Sequence, residues 1–238
     1  MKIGKRIIIS LAIISMLTPI VTYAVPFAPS DGGGMGGAPG ESSTSVSHSG
    51  ATSISTDTTE SKKKYSSSTG SENALLVSGG TSTLISCTVE KSGDSSGDEA
   101  DFYGENSAVF ATESGTLTIK DSLIETNGTH ANAVFSYGEG TTVNISDSVI
   151  ETQGNCSGGI MTTGGGTMNA SNLTINTSGN SSAAIRSDRG GGTVNVTNGY
   201  YKTTGTGSPV VYSTADITVS NAYMESTASQ GIVVEGKN

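Results

Sequence analysis

The stretch SAVFATESGTLTIKDSLIETNGT, residues 107–129, is followed at 132–155 by NAVFSYGEGTTVNISDSVIETQGN, almost the same text. The small–aliphatic–large triplet Ala108-Val109-Phe110 recurs at Ala133-Val134-Phe135, Gly159-Ile160-Met161, Ala184-Ile185-Arg186, Val210-Val211-Tyr212 and Ile232-Val233-Val234, in steps of 25, 26, 25, 26 and 22 residues. An earlier copy starts at Ala74-Leu75-Leu76, 34 residues before Ala108, and is lengthened by SGDSSGDEADFYGE at 92–105. Before it, ATSISTDTTESKKKYSSS (51–68) reads as a degenerate first copy acting as a cap. Repeats of this period are single supersecondary units. None closes a core alone, so each must stack on its neighbours.

Within a copy the apolar residues alternate. TLTI at 116–119 is matched by TVNI, TMNA, TVNV and DITV, and SLIET at 122–126 by SVIET, LTINT, GYYKT and AYMES. Period 2 marks strands with one buried face, and no helical period is seen. Three short strands per 22–26 residues, separated by Gly, Asn, Asp and Ser turns, predict an all-β fold: a right-handed parallel β-helix of six to seven rungs. The inward files are then Leu75, Val109, Val134, Ile160, Ile185, Val211 and Val233 on the first strand, with Leu117 to Ile217 and Ile119 to Val219 on the second. Val89, Ile124, Ile150, Ile175, Tyr201 and Met224 follow on the third. The file Leu76, Phe110, Phe135, Met161, Arg186, Tyr212, Val234 admits an arginine and is read as outward. Asp121, Asp147, Asn172, Asn198 and Asn221 fall in register at one turn, where side chains can hydrogen-bond from rung to rung.

Such stacking explains how a chain with 33 Gly and only 33% hydrophobic residues can still build a core, a thin and regular one. Three segments are expected. Residues 1–24 have Lys2, Lys5 and Arg6 before an apolar run and small residues at 22 and 24, the layout of a signal peptide. Residues 25–50 are a Gly/Ser/Pro-rich flexible linker, with His48 read as solvated. Residues 51–238 are the β-helix. Residues 1–24 carry three of the twelve Lys and Arg and no acid, so their loss takes the formal net charge from −9 to −12. That balance argues against nucleic acid as a partner, and no later segment reads as a membrane span. The expected location is therefore secreted, extracellular or at the cell surface. Cys87 and Cys156 lie two or more rung spacings apart, beyond the reach of a disulfide, and are read as free thiols.

The stretches ENALLVSGGTSTL, HANAVFSYGEGTTVNIS, SGGIMTTGGGTMNASNLTINTSGNSSAAIRSDRGGGTVNV and GSPVVYSTADITVSNA resemble the pectin-lyase-like right-handed parallel β-helix, as found in bacterial secreted adhesin-like proteins. The resemblance covers about residues 51–238. It implies export and a β-helix, but not one activity, since that fold carries both enzymes and inert scaffolds. Such proteins run on for more rungs, so GIVVEGKN reads as an open end through which copies would self-associate. Two functions stand open. The first is an exported, non-enzymatic scaffold, a surface adhesin or glycan-binding protein with a polysaccharide or cell-surface glycan as partner. The alternative is a carbohydrate-active enzyme, a polysaccharide lyase or glycoside hydrolase, using acidic residues on the rod flank such as Glu125 and Glu151, with Asp121 and Asp147 nearby.

Candidate site residues follow from register and local composition. Phe110, Phe135 and Tyr212, read as outward, offer stacking faces for sugar rings, and so do Tyr200 and Tyr223; the rival reading is that loops or a partner surface cover them. In IRSDRGGG, with Arg186, Asp188 and Arg189, the arginine pair can hold a carboxylate or uronate bidentately, and the competing reading is a rim salt bridge between the arginines and the aspartate. Asp94, Asp98, Glu99 and Asp101 place four carboxylates in one Gly/Ser loop, a composition that suits calcium although the spacing matches neither the EF-hand nor the calcium-roll repeat; the alternative is a solvated insertion loop. No other cofactor is expected. The Thr and Asn rows of the second strand form a flat polar ladder. His130 is read as a turn residue with no Cys or Ser partner in register, so no catalytic triad is expected.

Overall fold

Side chains of residues 25 or 26 apart land on one another because every turn of the chain is hydrogen-bonded in parallel to the turns above and below it. The computed structural model describes residues 47–236, which form a parallel β-solenoid of about 7 turns. The signal peptide expected at 1–24 and the linker expected at 25–50, except its last four residues, lie outside the described residues. The first strands of successive turns make an 8-stranded sheet running from Gly50–Ile54 through Val109–Thr112, Val134–Tyr137 and Ile160–Thr163 to Ile232–Val234. Second and third strands make a 12-stranded network; in two turns they merge into single strands, Gly166–Thr177 and Gly192–Thr203. The segment before Ala74 is a real first turn, with strands Gly50–Ile54, Thr58–Ser61 and Lys64–Ser67.

The register is that of the sequence repeat. Val134 pairs with Val109 and Ile160, Val143 with Leu117 and Met168, Ile150 with Ile124 and Ile175. The inward files join one buried cluster from Tyr65 and Leu75 to Tyr201 and Val211, with Ile217 and Val219 partly buried at its margin; in the last turn they lapse, since Met224 is exposed and Val233 pairs with Tyr212 of the outward file. The last turn departs from the expected register. Val211 pairs with Ile232 rather than Val233, because the amides of Val210 and Val211 both donate to the Gly231 carbonyl, at 3.0 and 3.1 Å, and the ladder slips by one residue.

Two corners explain the punctuation. Between second and third strands, Asp121, Asp147, Asn172, Asn198 and Asn221 all have left-handed backbones, with φ from 50 to 59°. Asn and Asp tolerate this conformation best among residues with a side chain. The side-chain ladder expected there amounts to one bond, Asn172 Nδ2 to Asp147 Oδ1 at 2.7 Å. The longer amide ladder runs along the strand surface, from Asn195 to Asn169 to Asn144, at 3.0 and 2.9 Å. At the other corner, a Cβ on Gly154, Gly179 or Gly205 would collide with the carbonyl of the glycine one turn earlier. Ser157, Ser182 and Ser208 donate their hydroxyls to those stacked carbonyls, at 2.8 to 3.1 Å. The amides of Ala131, Ser157 and Ser182 donate in turn to the serine hydroxyls one turn on.

One element was not foreseen. In the insertion, Asp98–Tyr103 forms a short helix, α1, with Asp98, Glu99 and Asp101 in its first turn and Gly104 closing it in the left-handed conformation. Acidic residues favour a helix N-terminus, but six residues are too few to show a helical period. Among the described residues no helix is long and apolar enough to cross a membrane.

Ile160 lies between Val134 and Ile185, and all three are 0% exposed. Ile160→Ala should therefore lower unfolding stability by about 2–5 kcal/mol, whereas Val149→Ala, at a position 37% exposed, should change it by less than about 0.5 kcal/mol. Urea unfolding of the two variants distinguishes the faces; equal losses would contradict an interior file.

Candidate functional site

Opposite treatment of two flanks decides where a ligand can bind. Among the described residues nothing covers the third-strand flank of the solenoid. Ser66, Glu90, Glu125, Glu151, Asn176, Lys202 and Glu225 are paired one above another. Beside them, at the start of the following turn, stands a second row that includes Ser68, Ser92, Asn127, Gln153, Ser178 and Thr204. The rows enclose two adjoining depressions of about 510 and about 280 Å³ that share Glu151 and Gln153. With strands about 4.8 Å apart, the six stacked positions from Ser66 to Lys202 span about 24 Å. Charge changes along this groove. Lys64 holds Glu90 at 2.6 Å at one end; Glu125 and Glu151 are direct neighbours in the middle; Lys202 lies 3.1 Å from Glu225 at the other end. Hydrogen bonds from Lys202 and Tyr200 hold the Glu225 carboxyl below its ordinary range.

Lys91 forms part of the groove wall, yet its side chain turns inward, in the file otherwise occupied by Ser67, Thr126, Thr152, Thr177 and Thr203. It is 1% exposed and donates to the carbonyls of Thr69 and Gly93 at 2.8 and 2.9 Å. Burial lowers its pKa to about 8, against the opposing pull of Glu72 and Asp94.

The first-strand flank is covered, and here the sequence-based reading needs correction. Leu76, Phe110, Phe135 and Met161 do point away from the coil, but they form a second buried cluster with Phe102 of α1 and Tyr137 packed on it. Phe110 and Phe135 are 0% exposed; the folded insertion covers them, so neither can stack on a sugar. A Cβ on Gly104 would strike the Phe110 ring, which explains why this close approach uses glycine. His48, read as solvated linker, packs here too: its ring stacks on Phe110 at 4.3 Å and its Nε2 lies 2.6 Å from the Tyr103 carbonyl oxygen. Desolvation lowers its pKa.

The charged triplet holds the cover in place. Arg186 donates to Asp188 at 2.7 and 3.1 Å, and its guanidinium lies near the rings of Phe102 and Tyr212. Arg189 stacks on Phe102 at 3.9 Å and pairs with Asp98 at 2.6 Å. Tyr212 donates to Glu235 at 2.7 Å. The acid–base partners in this triplet are therefore protein groups, Asp188 for Arg186 and Asp98 for Arg189. The calcium expectation is not supported. Asp94 accepts from the Thr129 amide, Asp98 pairs with Arg189 and Asp101 contacts His130, so the loop carboxylates face different partners.

A different cluster takes shape instead. Among the described residues, the donor atoms of Asp101, His130 and Cys156 lie within 4.8 Å of one another, with His130 Nδ1 2.6 Å from Asp101 Oδ1. His130 does have a partner in register, contrary to the sequence-based reading. Val134 pairs with Ile160, so the residues four before each, His130 and Cys156, occupy the same corner one turn apart. Both are left-handed, with φ of 55 and 54°. The step of 26 was present in the sequence; the position of Asp101 on a folded insertion was not. Burial raises the Cys156 pKa, Asp101 adds to the rise, and Arg186 opposes it. That is the reverse of what activates a cysteine nucleophile. Cys156 and Cys87 are both free thiols.

No family model, curated protein or solved structure matches the chain.

The folded pKa of Lys91 is depressed, so between about pH 8 and about pH 10 the unfolded chain binds more protons and stability rises with pH through this window. Relative to Lys91→Met, the wild-type chain should gain on the order of 2 kcal/mol over that range, read from urea midpoints at each pH. A constant difference between the two proteins would contradict a charge held at a cost inside the coil.

Proposed function

We propose that this protein is an exported, non-enzymatic scaffold that binds an extended polyhydroxylated polymer, a polysaccharide or cell-surface glycan, along the open third-strand flank. The observation that carries this reading is the pair of adjoining depressions sharing Glu151 and Gln153. The groove runs across the strands, parallel to the stacking direction, and repeats its polar groups once per turn. A linear polymer presents donors and acceptors repeatedly along its length and is matched by such a row, whereas a compact ligand would use only one or two turns. Carboxylates, carboxamides and hydroxyls are the groups that bind sugar hydroxyls. Export is supported by the signal-like residues 1–24, and the resemblance to pectin-lyase-like adhesins points the same way.

A second reading rests on one specific feature. Glu125 and Glu151 are paired directly across adjacent strands, a Cα spacing of about 4.8 Å that approaches the carboxyl separation of about 5–5.5 Å in retaining glycosidases. On this reading the protein is a carbohydrate-active enzyme working at the middle of the groove.

A polysaccharide panel separates them. The scaffold reading expects retention on at least one neutral or basic glycan with no unsaturated products or new reducing ends, and at least tenfold weaker binding in the Glu125→Gln, Glu151→Gln double variant. Turnover abolished by the same variant would establish the enzyme. Absence of both binding and turnover across the panel would overturn both.

A further inference from the structure

We propose that Asp101, His130 and Cys156 form a zinc site that fastens the insertion helix to the solenoid and leaves one coordination position open. The inference is independent of the groove, which lies on another flank.

Three elements converge on the site without being neighbours in the chain. Asp101 comes from α1, His130 from the corner preceding strand Val134–Tyr137, and Cys156 from the equivalent corner one turn later. The corners are rigid. The His130 amide donates to the Asn155 carbonyl and the Cys156 amide to the Asn180 carbonyl, both at 2.8 Å, so the parallel ladder sets the spacing of the two side chains. A carboxylate oxygen, an imidazole nitrogen and a thiolate sulfur are the donor types that zinc accepts, and one carboxylate with one thiolate balances its two positive charges.

The distances also fit. Tetrahedral zinc with ordinary bond lengths places a nitrogen and an oxygen ligand about 3.3 Å apart and the sulfur about 3.6 Å from each. The three donors already lie within 4.8 Å of one another, and His130 and Asp101 need to part only slightly from their contact at 2.6 Å. On binding, the Cys156 thiol gives its proton to solvent and its sulfur lone pair to the metal. Asp101 and Cys156 border a cavity of about 250 Å³ that reaches Arg186 and Tyr212, and this cavity is where the open position lies. Three protein ligands with a fourth place open is the pattern of zinc sites that exchange water or bind a substrate, as opposed to closed structural sites. Calcium fits poorly, since it takes six to eight oxygen ligands.

Both cysteines can be replaced without disturbing the coil. Ser181 occupies the corner position of Cys156 one turn on, with the same left-handed backbone, φ 54°, and Ser122 is the equivalent of Cys87, whose amide it accepts at 3.0 Å. The full chain, stripped with chelator, is titrated with zinc against a chromophoric competitor and with cobalt under ultraviolet–visible absorption. One metal ion per chain is expected, with a thiolate-to-cobalt charge-transfer band and the intense visible bands of tetrahedral cobalt. Cys156→Ser should remove the charge-transfer band and weaken zinc at least ~100-fold, while Cys87→Ser keeps both. Asp101→Asn and His130→Ala should each weaken zinc at least ~10-fold. Zinc should raise the melting temperature of the wild-type and Cys87→Ser chains and leave Cys156→Ser unchanged. A cobalt spectrum that survives Cys156→Ser, weak six-coordinate bands, or no stoichiometric zinc binding by the folded chain would overturn the site.

Discussion

Continuous hydrogen bonding between equivalent residues of successive turns is the constraint from which everything else in this protein follows. A parallel strand at the surface of a coil has no partner within its own turn, so each amide and carbonyl must find one about 4.8 Å above or below. That requirement forces equivalent residues into vertical files. It explains why the corners repeat as strictly as the core: Gly154, Gly179 and Gly205 let the chain approach the carbonyl beneath, and the serines at 157, 182 and 208 close the remaining donors and acceptors. Where the ladder slips, at Gly231, the side chains beyond it change neighbours.

An insertion in such a coil cannot be absorbed into the interior without breaking the ladder, so it must lie on the outside. Residues 92–105 do so by folding α1 back over the first-strand flank. Covering this flank changes the meaning of every residue beneath. A file of outward aromatics becomes a second core, the two arginines become clamps on Phe102, and a histidine that precedes the first strand is drawn into the same cluster. The cover also gathers three polar donors from distant positions into one place.

The two flanks therefore differ in kind. Among the described residues the third-strand side is uncovered and repeats its chemistry turn by turn, the property on which the proposal of an extended ligand rests. The covered side holds groups that occur once, which suits a point site. Repetition produces surfaces, and departures from repetition produce sites: the insertion, the lysine in a threonine file and the histidine–cysteine pair are all places where the copies differ.

The number of turns, the inward files up to Val211 and the stacked Asn/Asp corner were legible in the sequence, because a solenoid converts chain distance into spatial position by simple periodicity; the left-handed backbone of that corner and the merging of strands at 166–177 and 192–203 were not. The step of 26 residues that stacks Cys156 on His130 is also in the sequence, but it passes unnoticed there because the residues between the strands repeat less strictly than the apolar files. The fate of the outward file was not legible. Periodicity tells which way Phe110 and Phe135 point from the coil, but not what lies over them, and α1 has no copy in any other turn to fix its place. Where the repeat holds, local sequence alone sets position, through backbone pairing; where it lapses, only packing of the whole chain decides which side chains are buried and which donors meet.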